Sequence, residues 1–206
     1  MIKFVYFDVG GVVIKDFSAS NKWDELCNEI GITLDTQGKF EEIWNSCKET
    51  RDTVFDVDNL LPVFEKDLGL KLPKDYSFLM GFVKRFEKNE SIWSVISEMK
   101  KEVPVGLLTN MYPRMLDKIY EANIMPKVGW DAVIDSSVVK IQKPYNDIYK
   151  LAEEKANAKG NEILFIDNSK VHLDAAVKFG WQTFWYDSAD VETSSRELME
   201  YFKLHK

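Results

Sequence analysis

The chain has 206 residues, with 27 Lys and Arg against 34 Asp and Glu, a formal net charge of −7. At 45% hydrophobic and 30% charged residues it is too apolar for a disordered chain, and a chain of this length buries an adequate core without disulfide or metal staples. The acidic balance excludes a nucleic-acid footprint, which needs a basic face, and no stretch reaches the ~18 consecutive apolar residues of a membrane span.

The first element is the apolar run at 2–7 (IKFVYF), which ends in Asp8 and passes into Val9, Gly10 and Gly11. Broken by Asp8 and lacking a small-residue cleavage site, it reads as a buried strand and not as a signal peptide. Residues 17–88 then carry four stripes at helical spacing. They are Trp23, Leu26, Cys27 and Ile30; Phe40, Ile43, Trp44 and Cys47; Leu60, Leu61, Phe64 and Leu68; and Phe78, Leu79, Phe82, Val83 and Phe86. Gly31, Gly38, Gly69 and Pro73 punctuate them. The pattern predicts a helical bundle inserted after the first strand. Its aromatic stripes are expected to be core. Cys27 and Cys47 sit on the stripes without metal-ligand spacing, as reduced, packed thiols of a cytoplasmic protein would.

Beyond residue 88 short apolar runs recur at 103–108, 131–134, 162–166 and 181–186. Segments of helical period lie between them, including Ile92, Val95, Ile96 and Met99, then Ile148, Leu151, Ala152 and Ala156. Strands alternating with helices predict an α/β core with a Rossmann-like parallel sheet covered on both faces. The core spans 1–16 and 89–206, and the cap-like helical bundle spans 17–88. A capping-box pattern from Ser194 to Glu197 predicts the start of a last helix on the sheet.

In such sheets ligands bind beyond the carboxyl ends of the strands. The residues that follow the apolar runs are therefore the candidate site: Asp8, Gly10 and Gly11; Thr109 and Asn110; Lys143, before Pro144; and Asp167 with Asn168. The set suits phosphoryl transfer. Asp8 is placed to attack phosphorus. Lys143 and a divalent cation would offset repulsion between the carboxylate and the phosphate. Asp8 and Asp167 offer hard oxygens suited to Mg²⁺. Thr109 and Asn110 would donate to phosphoryl oxygens, and Gly10 and Gly11 allow close backbone approach.

FDVGG, LLTN, KP and IDNS, in this order and spacing, resemble the four motifs of the haloacid dehalogenase superfamily, and the insert resembles its type-1 helical cap. The resemblance covers essentially the whole chain. It implies a nucleophilic Asp8, a phosphate-binding Thr109, a charge-balancing Lys143, and Mg²⁺ held by Asp8, the Gly10 carbonyl and the Asp167–Asn168 pair. Two positions depart from the pattern. Gly10 stands where the family's phosphatases carry a general acid/base, a group worth about 10²–10⁴ in rate. A glucose-1-phosphatase-like branch shares this Asp-x-Gly motif. Asn168 stands where the second acid of motif four is expected, which removes one negative charge from the metal site unless Asp167 turns in.

The leading expectation is a Mg²⁺-dependent phosphatase acting on a small phosphorylated metabolite through an aspartyl-phosphate. The alternatives are a non-catalytic binding protein, suggested by the two departures, and a metal-free 2-haloacid dehalogenase. Several residues keep a plainer alternative. Thr109–Asn110 suits a helix cap before Leu116 and Ile119, Asp167–Asn168 suits a turn, and Lys140 competes with Lys143. His172 is expected on the surface. Arg51 and Arg114 are candidates to reach a substrate from the insert and the core.

Overall fold

The strand β1 (Phe4–Phe7) reads FVYF, and all four residues are buried. Phe4 and Tyr6 join one apolar layer while Val5 and Phe7 join the other, the alternation that a strand covered on both faces requires. The computed structural model describes all of residues 1–206. After β1 come β2 (Ile14–Lys15), the helices α1 (Lys22–Ile30), α2 (Leu34–Ser46), α3 (Leu61–Leu68) and α4 (Phe78–Val83), then β3 (Glu87–Lys88). The second half alternates: α5 (Glu90–Met99), β4 (Val105–Thr109), α6 (Met115–Glu121), β5 (Ala132–Asp135) and the one-turn α7 (Ser136–Val139). It ends with α8 (Asn146–Ala156), β6 (Ile163–Asp167), α9 (Lys170–Lys178), β7 (Gln182–Trp185) and α10 (Val191–His205).

Five strands form one parallel sheet in the order β5–β4–β1–β6–β7. The α/β sheet expected from the sequence is present. Strand order reverses about β1, so β4 and β6 flank it and the three strands end side by side. No helix is long and apolar enough to cross a membrane. The last helix starts earlier than its sequence pattern implied. Asp190 caps it by accepting the N–H of Thr193 at 3.1 Å, whereas Ser194 is buried and its hydroxyl accepts the N–H of Asp187 at 3.0 Å.

The insert packs on its own aromatic residues. Ring centroids lie 5.7 Å apart for Trp23–Phe40, 5.2 Å for Phe40–Phe64 and 5.5 Å for Phe64–Phe78. Both thiols are free; burial pushes Cys27 up to about 11 and raises Cys47 as well, which makes them poor nucleophiles. Strands β2 and β3 pair antiparallel, Ile14 with Lys88 and Lys15 with Glu87, so the chain enters and leaves the helices side by side. Two-residue strands carry no periodicity, and nothing in the sequence announces this hairpin.

Arg114, expected as a possible substrate contact, instead clamps the insert to the core. Its guanidinium donates to Asp56 Oδ2 at 2.8 Å and Oδ1 at 2.7 Å, and to Asp58 Oδ2 at 2.8 Å. Burial opposes the charge of Asp58, but hydrogen bonds from Arg114, the Leu79 N–H and Ser77 hold its carboxyl below the ordinary value. A depressed carboxyl stabilises the fold above its unfolded value of about 4, and that contribution is lost as pH falls through the folded value. Arg114 is half exposed, so the clamp is worth about 1 kcal/mol or less. Arg114→Ala should therefore lower the melting temperature by roughly 2–4 °C at pH 7. The gap to wild type should close in strong acid; a gap that persists there would place the effect elsewhere. Lys140 likewise bonds the insert, donating to Thr53 O at 3.1 Å. Arg51 donates to Trp44 O at 3.1 Å and stacks over that ring at 4.2 Å.

Candidate active site

Asp8 follows β1, and its N–H donates to Ile166 O at 2.9 Å, which sets it beside Asp167 at the end of β6. Lys143, from the loop between α7 and α8, reaches both carboxylates: Nζ lies 3.1 Å from Asp8 Oδ1 and 2.6 Å from Asp167 Oδ2. The side chain of Lys143 is wholly buried, and so is that of Asp167. Lys140 takes no part. Asn110 holds Lys143 in place through its backbone: the amide accepts the Lys143 N–H at 2.9 Å and donates to the Lys143 carbonyl at 2.9 Å. Its side chain thus has a positioning role, and one Nδ2 hydrogen is left over on a residue that borders the cavity. Neither Thr109 nor Asn110 caps α6, which begins only at Met115.

Asp167 is fully engaged. Oδ1 accepts the Ser169 N–H at 2.7 Å, while Oδ2 takes Lys143 and also lies 3.0 Å from His172 Nδ1. The turn expected at Asp167 is thus present, and it coexists with the charge cluster. His172, expected at the surface, is a partly buried member of that cluster. No motif marks it; its place follows from α9, which starts just beyond β6 and turns its first-turn residue back onto the strand end.

Burial pushes the Asp8 carboxyl above its usual range, Lys143 opposes the rise, and Asp167 adds to it. Burial works the same way on Asp167, yet the charge of Lys143 and the His172 hydrogen bond carry that carboxyl below its usual range. Desolvation alone would depress Lys143; the two carboxylates hold it above the ordinary lysine value. Two carboxylates against one ammonium leave the cluster one negative charge.

Around Asp8 lie donors without partners. Thr109 is fully buried; its hydroxyl meets no partner at full hydrogen-bond geometry but lies near enough to Asp8 to lower that carboxyl. The N–H groups of Val9, Gly10 and Asn110 make no hydrogen bond within the chain. Val9 O instead accepts the N–H of Val12 at 3.3 Å and of Ile14 at 3.0 Å, which turns the chain back over the strand end. Gly11 has φ +74°, and a Cβ there would come within 2.1 Å of Asn168 Nδ2. Asn168 Nδ2 donates to Ser18 and Ser188 at 3.1 Å each.

A cavity of about 170 Å³ opens beside Gly10, lined by Asp16, Phe17, Asp52, Phe82, Asn110 and Tyr112 among others. Asp16 and Asp52 escaped the sequence reading because neither lies in a motif. Burial raises both carboxyls, Asp52 against the pull of Arg51, His172 and Lys143.

Fold and site define a capped α/β protein with an aspartate–lysine–aspartate cluster at the strand ends. The chain belongs to the haloacid dehalogenase-like hydrolase family, whose model matches residues 2–180. It is 24% identical over 191 residues to an (S)-2-haloacid dehalogenase of Pseudomonas sp. (strain YL), covering 89% of this chain and 82% of that one. Among solved structures it is similar to a HAD-like family hydrolase of Porphyromonas gingivalis, with a TM-score of 0.69, 21% identity, and coverage of 96% and 98%. It is also similar to a HAD family enzyme of Bacteroides thetaiotaomicron in complex with magnesium and inorganic phosphate. That match has a TM-score of 0.72 and 18% identity, over 91% of this chain and 96% of the other. At these identities the structural matches show the fold alone.

Proposed function

We propose that the chain is a phosphoric monoester hydrolase that acts on a small phosphorylated metabolite through a phosphoryl-Asp8. The observation that carries this reading is the ring of unpartnered donors around Asp8. A buried hydroxyl without a full hydrogen bond is costly in an isolated fold, and three free amides beside it make an oxyanion cradle. A phosphoryl group has three non-bridging oxygens to fill it.

Asp8 would attack phosphorus through Oδ2, while Oδ1 stays on Lys143. Lys143, the Thr109 hydroxyl and the amides would take the charge spread over the phosphoryl oxygens. Water would then attack phosphorus, release phosphate and free Asp8. Asp167 acts one step back by holding Lys143, and His172 in turn holds Asp167.

The donor set fits a divalent cation, but with fewer protein ligands than the motif pattern implies. No group of three His, Cys, Asp or Glu side chains converges on one point. Asp167 already accepts from three donors, which leaves it less capacity for a cation than the motif pattern implies. Asp8 and the amide oxygen of Asn168 are the side chains that would hold Mg²⁺, consistent with its habit of taking one or two carboxylates and keeping its waters. When bound, the ion supplies positive charge to the transferring phosphoryl group.

A second reading, metal-free attack of Asp8 on carbon in a 2-halo acid, is favoured by the dehalogenase relative. Assays of phosphate esters and 2-halo acids with Mg²⁺ and with EDTA decide between them. Phosphate release that EDTA abolishes is the expected result. Halide release that survives EDTA, with no phosphate release, would establish the second reading instead.

A further inference from the structure

Residue 10 is a glycine, so the leaving group lacks a proton donor at that position. We propose that Asp16 supplies this carboxyl from a different place in the chain and acts as the general acid and base of the reaction; the proposal rests on the phosphatase reading above. An ideal Cβ built on Gly10 would lie 2.8 Å from Asp16 Oδ2 and 3.5 Å from its Cγ. The Asp16 carboxyl thus fills the volume into which a side chain at position 10 would project. Asp16 is eight residues beyond Asp8, and the turn at Val9 followed by β2 brings it back over the strand end.

The carboxyl is also oriented. Oδ1 accepts the Ser18 N–H at 2.8 Å and the Ser18 hydroxyl also bears on the carboxyl, which fixes the group with Oδ2 turned toward Gly10. Lys22 bonds Glu87 at 2.7 Å and acts on Asp16 only as a nearby charge, the weakest of the influences on that carboxyl. Asp16, Gly10 and Asn110 border one cavity, whose other walls include Phe17, Phe82 and Tyr112. A leaving group departing from phosphorus on Asp8 enters apolar surroundings in which an unprotonated alkoxide is poorly solvated, and Oδ2 is an acid–base group on that wall.

In the first step an Asp8 oxygen bonds to phosphorus, the bond from phosphorus to the ester oxygen breaks, and its electron pair goes to that oxygen. The Asp16 proton passes to it, giving the free alcohol. In the second step Asp16, now a carboxylate, takes a proton from the water that attacks phosphorus. The bond from phosphorus to Asp8 breaks, releasing phosphate, and Asp16 regains its proton. Asp52 is the rival carboxyl on the same cavity, and it is tested in parallel.

The decisive experiment measures kcat/KM for an aryl phosphate with a good leaving group and an alkyl phosphate with a poor one. Asp16→Asn should lose about 10²–10⁴ on the alkyl ester and less than about tenfold on the aryl ester. Moving the carboxyl back, in Gly10→Asp/Asp16→Gly, should recover much of the alkyl activity, and Asp52→Asn should not steepen the leaving-group dependence. Equal losses on both esters in Asp16→Asn, or the steeper dependence appearing in Asp52→Asn, would overturn the assignment while leaving the phosphatase reading intact. A wild type that hydrolyses neither ester removes the phosphatase reading and the assignment together. Should Asp16→Asn fold poorly, the relocated pair alone decides: no alkyl activity in a folded protein counts against Asp16.

Discussion

Lys143→Met should lower folding stability by about 3–5 kcal/mol, the range for a buried ion pair broken by loss of one partner. Methionine keeps most of the volume, so little of this reflects a cavity. What remains is two carboxylates, Asp8 and Asp167, adjacent and buried with no ammonium between them. The linkage sets the pH range of the deficit. Asp167 is held low, so its contribution is complete above an unfolded value of about 4 and is lost as pH falls through the folded one. Lys143 is held high, so its contribution is complete below an unfolded value of about 10.4 and is lost as pH rises through the folded one. Denaturant titrations should therefore show the full deficit between those limits and a smaller one beyond them. Lys143→Met/Asp167→Asn should recover part of the stability, because it removes one of the two stranded charges, and none of the turnover. A Lys143→Met protein as stable as wild type at neutral pH would mean that the cluster is not held together by charge.

The parts of this site that are legible in the sequence are those carried by regular strands. Each sheet strand lies within two residues of its apolar run, and Asp8, Thr109 and Asp167 follow from those ends by the geometry of parallel sheets alone. The parts that are not legible are set by loops. Asn110 reads as a substrate donor, but its amide matches the Lys143 backbone across 33 residues of sequence, and no local pattern encodes that pairing. Asp167 reads as a metal ligand by its chemistry, and the same chemistry makes it the better acceptor for three donors at 2.6–3.0 Å. Asp16 had no signal of its own. Its position depends on a turn closed by main-chain bonds to Val9 and on the absence of a side chain at Gly10, a combination visible only in three dimensions.

Asp8→Asn should separate function from stability in the opposite sense to Lys143→Met. Removing a nucleophile that forms a covalent intermediate lowers turnover by roughly 10⁴–10⁶. An asparagine oxygen still accepts from Lys143, and Lys143 with Asp167 then forms a neutral pair, so the excess negative charge of the cluster is gone. The sign of the stability change follows from the Asp8 carboxyl. Burial holds it above its unfolded value, so the folded chain binds that proton more tightly than the unfolded chain does. Ionised Asp8 therefore destabilises the fold at every pH above about 4, and the amide variant escapes that penalty. Melting temperatures should be higher for Asp8→Asn than for wild type at pH 7, with the difference shrinking as the pH is lowered towards 4. The two readouts test different claims. Turnover retained in Asp8→Asn would remove Asp8 as the nucleophile, whereas an inactive but destabilised variant would make Asp8 a structural partner of Lys143 and not a strained catalytic group. An inactive and more stable protein is the expected outcome, because the charge that would act as the nucleophile is also the charge the buried cluster least favours.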